Sequence, residues 1–448
     1  MTKSVSWVSA LLWICTACVA APDAPEPDTD LPTIALEAGP CAVEPEEPHA
    51  YRLPVWDLTV SQDNWDRLHA DVKAEVEVTA NVCVGGQPYA IELELQGSST
   101  RKLPKKSFDI KFASAHPLET WPFSDPQPTA AAPVHKVLLK AMAKDQTLVR
   151  EALSFDLYRA LGYVAPRTGF VNLRINGRYW GVYTAVEPVN DAFVASRGLP
   201  TPGRLYKGVR KYGSFADFAP GRDLKRAFEL KVVDALPLPA AQDTDDATQE
   251  AAEESEPLLA APLPAYVDLE AFVSLLQTTP LEPSAFTRAI DPVFPLAAYL
   301  DRMLWVAFTQ NGDAVTQNFY LYVNQGRWSQ LPWDSDISLG ADWRDPEAWM
   351  TPQDALLLDG SNYFSQRLLK VPGLKAQYRQ RFLAVLDSGV LARVGFAQLE
   401  QYQALVAADF VLDAARWQRA AEPHSVFARL SEFLSARSSA LRDALLSL

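Results

Sequence analysis

Residues 311–336 read NGDAVTQNFYLYVNQGRWSQLPWDSD. The stretch before them, residues 292–310 (PVFPLAAYLDRMLWVAFTQ), has the apolar density and length of a long helix. FYLYV and RWSQLPW flank Asn324-Gln325-Gly326, and two runs rich in aromatic and branched residues around such a turn predict a hairpin. A long helix, a short loop and a hairpin therefore set Asp313, Asn318, Asp334 and Asp336 in one compact frame. Trp305, Tyr320, Tyr322, Trp328 and Trp333 surround it, and their spacing reads as core packing.

Downstream the pattern stays helical, with segments near 364–388, 396–416 and 424–446. Upstream it is different. Residues 55–84 give a strand, a short helix and a strand, GGQPYAIELELQG adds a turn and an alternating strand, and KKSFDIKF sets Phe108, Ile110 and Phe112 on one face. DQTLVREALSFDLYRALGY, residues 145–163, predicts one amphipathic helix, with Asp145 at its start and Gly162 at its end. Asn176-Gly177 predicts a hairpin within TGFVNLRINGRYWGVYTAVEPV. The expected class is α+β: an N-terminal antiparallel sheet lobe, about residues 50–190, of about five strands with one main helix, and a helix-rich C-terminal lobe, about 191–440.

The formal net charge of the 448-residue chain is -14, but residues 22–48 and 243–256 hold eight and seven acids without a base. The rest is close to neutral, so the acidity belongs to spacers, and nothing in it points to a nucleic-acid partner. Residues 1–21 read as an export signal, with Lys3, an apolar run and small residues. The CTAC at 15–18 resembles a lipobox, which implies lipidation of Cys18, tethering to a membrane on its outer or periplasmic side, and a location in the cell envelope. Residues 22–49 are a flexible acidic, Pro-rich tether, and residues 239–263 a disordered acidic insertion. Cys41 and Cys83 are the cysteines left to the folded region. They are either a disulfide of an oxidising compartment or a free tether thiol and a buried strand thiol.

The frame at 311–336 suits phosphoryl transfer, which needs one carboxylate to orient the attacking hydroxyl and take its proton, and an amide and a second carboxylate to hold a divalent cation. Asp313 is the candidate base, Asn318 the first metal ligand and Asp334 the second, with Asp336 competing for that place. No His/Ser/Asp or HExxH arrangement competes with this set.

The blocks LQGSSTRKLPKKSFDIKF, NGRYWGVYTAVEPV followed by RLYKG, and NGDAVTQNFYLY followed by LPWDSDISLG resemble the CotH-like atypical kinases, the spore-coat protein H family, over roughly residues 50–440. The resemblance implies a protein-kinase-like two-lobed fold, ATP with magnesium or manganese, and phosphorylation of Ser or Thr hydroxyls on secreted or surface proteins. It places the catalytic Asp at Asp313 and metal ligands at Asn318 and Asp334. It also makes LQGSST the turn over the phosphates, with Gly97, Ser98 and Ser99, although Gln96 and Ser98 stand where the family has Arg and Asn. Lys106 becomes the phosphate-pairing lysine, because it shares parity with the inward apolar positions, and Lys111 the runner-up. Glu151 is its acidic partner, and Glu187 to Val189 the hinge facing adenine. Two other functions use the same shell: a non-catalytic surface binding protein, such as an adhesin or pseudokinase, and an enzyme that transfers the nucleotide.

Overall fold

A computed structural model describes residues 41, 50–119, 122–123, 133–209, 213, 215, 223–233, 264–345, 347–359, 362–420 and 422–447. Residues 1–21, read as an export signal, residues 239–263, read as an insertion, and residues 22–49, read as a tether, lie outside these residues except for Cys41. Seven strands form a closed barrel in the order β1-β2-β3-β4-β5-β7-β6. They are β1 (Val55–Thr59), β2 (Glu77–Val84), β3 (Gln87–Gln96), β4 (Ser107–Phe112), β5 (Lys136–Lys140), β6 (Thr168–Ile175) and β7 (Arg178–Val186). Neighbours pair antiparallel except β1 and β6, which run parallel and close the barrel. Closure removes the edges that an open five-stranded sheet would leave. Asn176 and Gly177 turn β6 into β7 with positive φ values of 50° and 84°, which Gly adopts for want of a Cβ and Asn more readily than most residues.

Period-2 alternation fills the barrel. Leu93, Phe108, Ile110, Val137, Leu139, Leu173 and Tyr183 point inward and pack with Trp56 and Trp65. Trp65 belongs to the short helix α1 (Gln62–Ala70), which Ser61 caps through the backbone N–H of Asn64. The alternate residues Leu138, Val182 and Val186 point outward into a second, larger core. The barrel strand that the sequence pattern does not announce is β5, and two strands outside the barrel, Arg204–Gly208 and Phe228–Val233, are not announced either. The β5 residues KVLLK are buried on both faces, four of the five below the surface, so the alternation that marks a half-buried strand is absent. Cys41 and Cys83 form a disulfide that ties the segment before the barrel to β2.

The larger core belongs to a helical region with its own sheet. Helices α2 (Arg150–Ala160), α3 (Asp191–Ser196), α4 (Asp223–Ala227), α5 (Val267–Thr278), α6 (Pro283–Ile290) and α7 (Leu296–Thr309) follow in chain order. Strands β8 (Arg204–Gly208), β9 (Phe228–Val233), β10 (Phe319–Asn324) and β11 (Arg327–Pro332) form a four-stranded antiparallel sheet ordered β11-β10-β8-β9. The predicted hairpin is β10–β11, and Trp305, Tyr320, Tyr322, Trp328 and Trp333 are all buried. The helix expected over 364–388 is two, α8 (Tyr363–Lys370) and α9 (Leu374–Ser388), broken by Pro372 and by Gly373 at φ +83°.

Helix α2 is buried all round rather than amphipathic, since every residue from Arg150 to Tyr158 is below the surface. Trp305 of α7 donates from Nε1 to the Ser154 carbonyl at 2.7 Å. On another side runs α10 (Val390–Arg416), followed by α11 (Pro423–Ser447). The Asp409 carboxylate of α10 accepts from the backbone N–H groups of Arg52 at 3.0 Å and Leu53 at 2.7 Å. One turn on, Asp413 pairs with Lys105 and accepts from the Val182 N–H at 2.9 Å. The C-terminal helices therefore hold the barrel and α2 together.

Candidate active site

β5 ends on Lys140, opposite Thr184 of β7, with its side chain on the outer face of the barrel. Its ammonium donates to Glu151 Oε1 at 2.6 Å and to Asp334 Oδ1 at 2.7 Å. It also lies 4.9 Å from the centre of the Trp333 ring, a cation–π distance. Burial works against the charge on Lys140, but Asp334, Glu151 and Asp336 outweigh it and push the pKa above the usual lysine range. Glu151 stands in the first turn of α2, where the helix dipole favours an acid. Its burial raises the carboxyl pKa, and Lys140 opposes that rise.

The approach to α2 is fixed by Asp145, which accepts from the backbone N–H groups of Thr147 and Arg150, both at 2.8 Å, and from the Arg150 guanidinium at 2.6 Å. Arg150 stacks on Trp349 with its guanidinium carbon 4.1 Å from the ring centre. Trp349 in turn donates to Gln146 Oε1 at 2.6 Å. The segment after Asp336 is thereby tied to the helix that carries Glu151.

The acids come from the two ends of the β10–β11 hairpin. Helix α7 stops at Gln310 in the left-handed region, φ +58°, and a short 3-10 turn at Asp313–Val315 follows. Asn311 fixes this loop, accepting from the Ala314 N–H and donating to Ser335 Oγ, both at 3.1 Å. Arg302 donates to the Ala314 carbonyl, and Asn362 to that of Val315 at 3.0 Å. Asn318 and Asp334 both adopt positive φ, 56° and 50°, uncommon for side-chain-bearing residues and enriched at functional sites. Asn318 donates from Nδ2 to the Asp334 carbonyl at 3.4 Å, which joins the two ends of the hairpin.

Burial opposes ionisation of Asp334, yet Lys140 overcomes it and holds the carboxyl below the usual range. The side chain is still 42% exposed, so it faces a wet cleft. Asp336 is pushed up to about 8, by burial first and by the neighbouring Asp334 second. A divalent cation between two such carboxylates would relieve that repulsion. Among the described residues no group of three or more His, Cys, Asp and Glu could hold a metal. The fitting set is two carboxylates and an amide oxygen, with phosphate oxygens completing it, which suits magnesium.

A lysine joined at once to a helix glutamate and to an acid beyond the hairpin is the arrangement of kinase-like sites. The model of the family described as CotH kinase protein matches residues 93–441. This chain belongs to the CotH kinase family. Inner spore coat protein H of Bacillus subtilis (strain 168) is 24% identical over 338 residues, 75% of this chain and 82% of that protein. A solved structure from Shewanella oneidensis MR-1, the toxin–antitoxin system HipA, HipB and its operator DNA complex, aligns over 83% of this chain and 66% of that one, with 14% identity and a TM-score of 0.29. A likeness that low carries no argument.

Within this CotH kinase domain, the structure brings Glu151, Asp334 and Asp336 to one cluster and hydrogen-bonds Asn318 to it. Asp313 lies on the loop that Asn311 anchors to Ser335. The lysine of the cluster is Lys140 and not Lys106, because the inward parity of β4 leads into the packed barrel, away from Glu151. Lys106 donates to the Arg101 carbonyl at 2.5 Å, closing the turn between β3 and β4 on itself. Lys111 forms a half-exposed pair with Glu77 at 2.5 Å. Gly97 has φ +103° and starts that turn, where a Cβ would sit 2.3 Å from Thr100 Oγ1, while Ser98 and Ser99 are exposed on it.

Glu187 directs its carboxylate to the backbone N–H of Arg167 at 3.0 Å and to the side chains of Arg167 and Arg197. Its backbone N–H also donates within the protein, to the Arg167 carbonyl at 2.9 Å. Val189 is buried in the core behind it. The sequence marks Lys140 only as a lysine ending a short apolar run before the helix of Glu151, which does not single it out.

Proposed function

We propose that this kinase-like protein is an exported, ATP-dependent phosphotransferase acting on Ser or Thr hydroxyls of secreted or cell-surface proteins. The observation that carries the reading is Lys140, bonded at once to Glu151 and Asp334. In the kinase arrangement a lysine so held binds nucleotide phosphates, the glutamate fixes its direction, and the acid beyond the hairpin holds metal. Asn318 and Asp334, with Asp336 beside them, would hold magnesium or manganese. The cation, when bound, neutralises phosphate oxygens. Asp313 takes the hydroxyl proton of the acceptor. The turn at Gly97–Ser99, between β3 and the β4 strand that pairs with β5, covers the phosphates, and the backbone of Glu187 to Val189 receives the adenine.

Export is supported by the Cys41–Cys83 bridge, since disulfides persist in oxidising compartments. The lipobox-like CTAC and the tether after it support anchoring through Cys18. No helix among the described residues is by itself long and apolar enough to cross a membrane.

Incubation of the full chain with ATP and magnesium or manganese tests the reaction. Label from the γ-phosphate on Ser or Thr of the protein itself or of envelope proteins supports it. Label from the α-phosphate instead makes the enzyme a nucleotide transferase, and absence of both leaves a binding protein with a kinase shell.

A further inference from the structure

Phosphoryl transfer spreads charge over three phosphate oxygens, and Lys140 is already bonded to two acids of this site. The loop between Asp313 and Asn318, Ala314-Val315-Thr316-Gln317, carries no cation, and Ala314 and Val315 are buried. A second positive charge must come from another element. The block RLYKG supplies one at Lys207, near the end of β8.

The register of the second sheet places it. Lys207 pairs with Tyr320 across β8 and β10, and the Asn318 N–H donates to the Gly208 carbonyl at 3.1 Å. Gly208 itself has no room for a Cβ, which would sit 2.9 Å from the Phe319 ring, so β8 and β10 are locked in close contact here. Paired residues share a face of the sheet. Tyr320 meets Trp333 edge-on with centres 5.4 Å apart, and Trp333 lies under the Lys140 ammonium. Lys207 is half-buried on that face. The Trp333 side of the cluster is therefore met from each sheet, by Lys140 of the barrel and by the strand face that carries Lys207.

We propose that Lys207 is a second phosphate-binding lysine, contacting the γ-phosphoryl group as it is transferred. The proposal rests on the kinase reading above. In that step the acceptor oxygen bonds to the γ-phosphorus, and the bond to the bridging oxygen breaks with its electron pair leaving on ADP. The hydroxyl proton passes to Asp313. Lys207 keeps its proton and balances charge on the moving group.

The test compares a non-hydrolysable ATP analogue with ADP, each with magnesium, by calorimetric titration of the full chain, Lys207→Met and Lys207→Arg. Both variants keep the aliphatic stem, and their melting curves report folding. A lysine on the γ-phosphate should give the wild type about tenfold tighter binding of the analogue than of ADP. In Lys207→Met the gap should close to under about twofold with ADP affinity unchanged, while Lys207→Arg keeps most of it. Turnover in Lys207→Met should fall by about a hundredfold or more. An intact gap in Lys207→Met overturns the proposal and leaves the kinase reading standing. Failure of the wild type to bind either nucleotide overturns both.

Discussion

Lys140→Met removes the one cation bonded to both Glu151 and Asp334. Lys140 is 6% exposed and Glu151 fully buried, so truncation leaves a carboxylate with neither water nor a counter-ion. Breaking a buried pair in this way costs about 3–5 kcal/mol. Asp334 is 42% exposed and can turn to water, so most of the cost belongs to Glu151. The sign of the pH dependence follows. Burial already holds the Glu151 pKa above its ordinary 4.5, and loss of Lys140 raises it further. An acid whose folded value exceeds its unfolded one loses stability as pH rises from the unfolded value through the folded one. The deficit of Lys140→Met should therefore shrink as pH is lowered from about 8 to about 5, by up to about 1.4 kcal/mol per unit. Urea denaturation followed by Trp fluorescence measures it, and Lys140→Met/Glu151→Gln should recover more than half of the loss at about pH 8. A deficit under about 1 kcal/mol, or one of equal size at both pH values, would refute the buried-pair reasoning.

Asp313→Asn should cut turnover by about 100-fold or more with nucleotide affinity within about threefold, because a base acts only on the incoming hydroxyl. Asp334→Asn should also weaken magnesium-dependent ATP binding, by about tenfold or more, since a metal ligand holds the ground state too. Calorimetry beside phosphate-transfer rates separates the two, and identical binding in both variants would contradict the roles. Lys106→Met should cost far less turnover than Lys140→Met, under about tenfold, because its amine bonds within the 97–106 turn and not to the cluster. A loss as deep as that of Lys140→Met would restore Lys106 to the site. Cys41→Ser should lower stability by about 4 kcal/mol, from the loop-closure entropy of a 42-residue separation. Denaturation under reducing and non-reducing conditions checks this, and equal midpoints would contradict it.

The acids and the amide of the site were legible because they lie within 24 residues of one another, on a helix end and a hairpin whose signals are local. Glu151 was legible for a similar reason, from its place at the head of a helix. Lys140 was not. It sits on a strand buried on both faces, where the sequence shows an apolar run and no alternation. Parity misled at Lys106 because inward in a closed barrel means a filled interior, whereas the cluster lies on the outer face. The barrel itself depends on the parallel pairing of β1 with β6, a contact between residues more than a hundred positions apart that no local pattern records. Asp409 and Asp413 were invisible too, since what they bind, the Arg52 and Leu53 amides and Lys105, lies more than three hundred residues away.

The most direct test of the account is to find which lysine meets the nucleotide phosphates. An ATP acyl phosphate transfers its acyl group to a lysine amine beside the bound phosphates, and peptide mass spectrometry locates the product. Acylation is expected at Lys140, with Lys207 the only other admissible position, blocked by excess ATP with magnesium and absent at Lys106. Acylation at Lys106 that ATP blocks, or no ATP-blocked lysine anywhere in the chain, would contradict it.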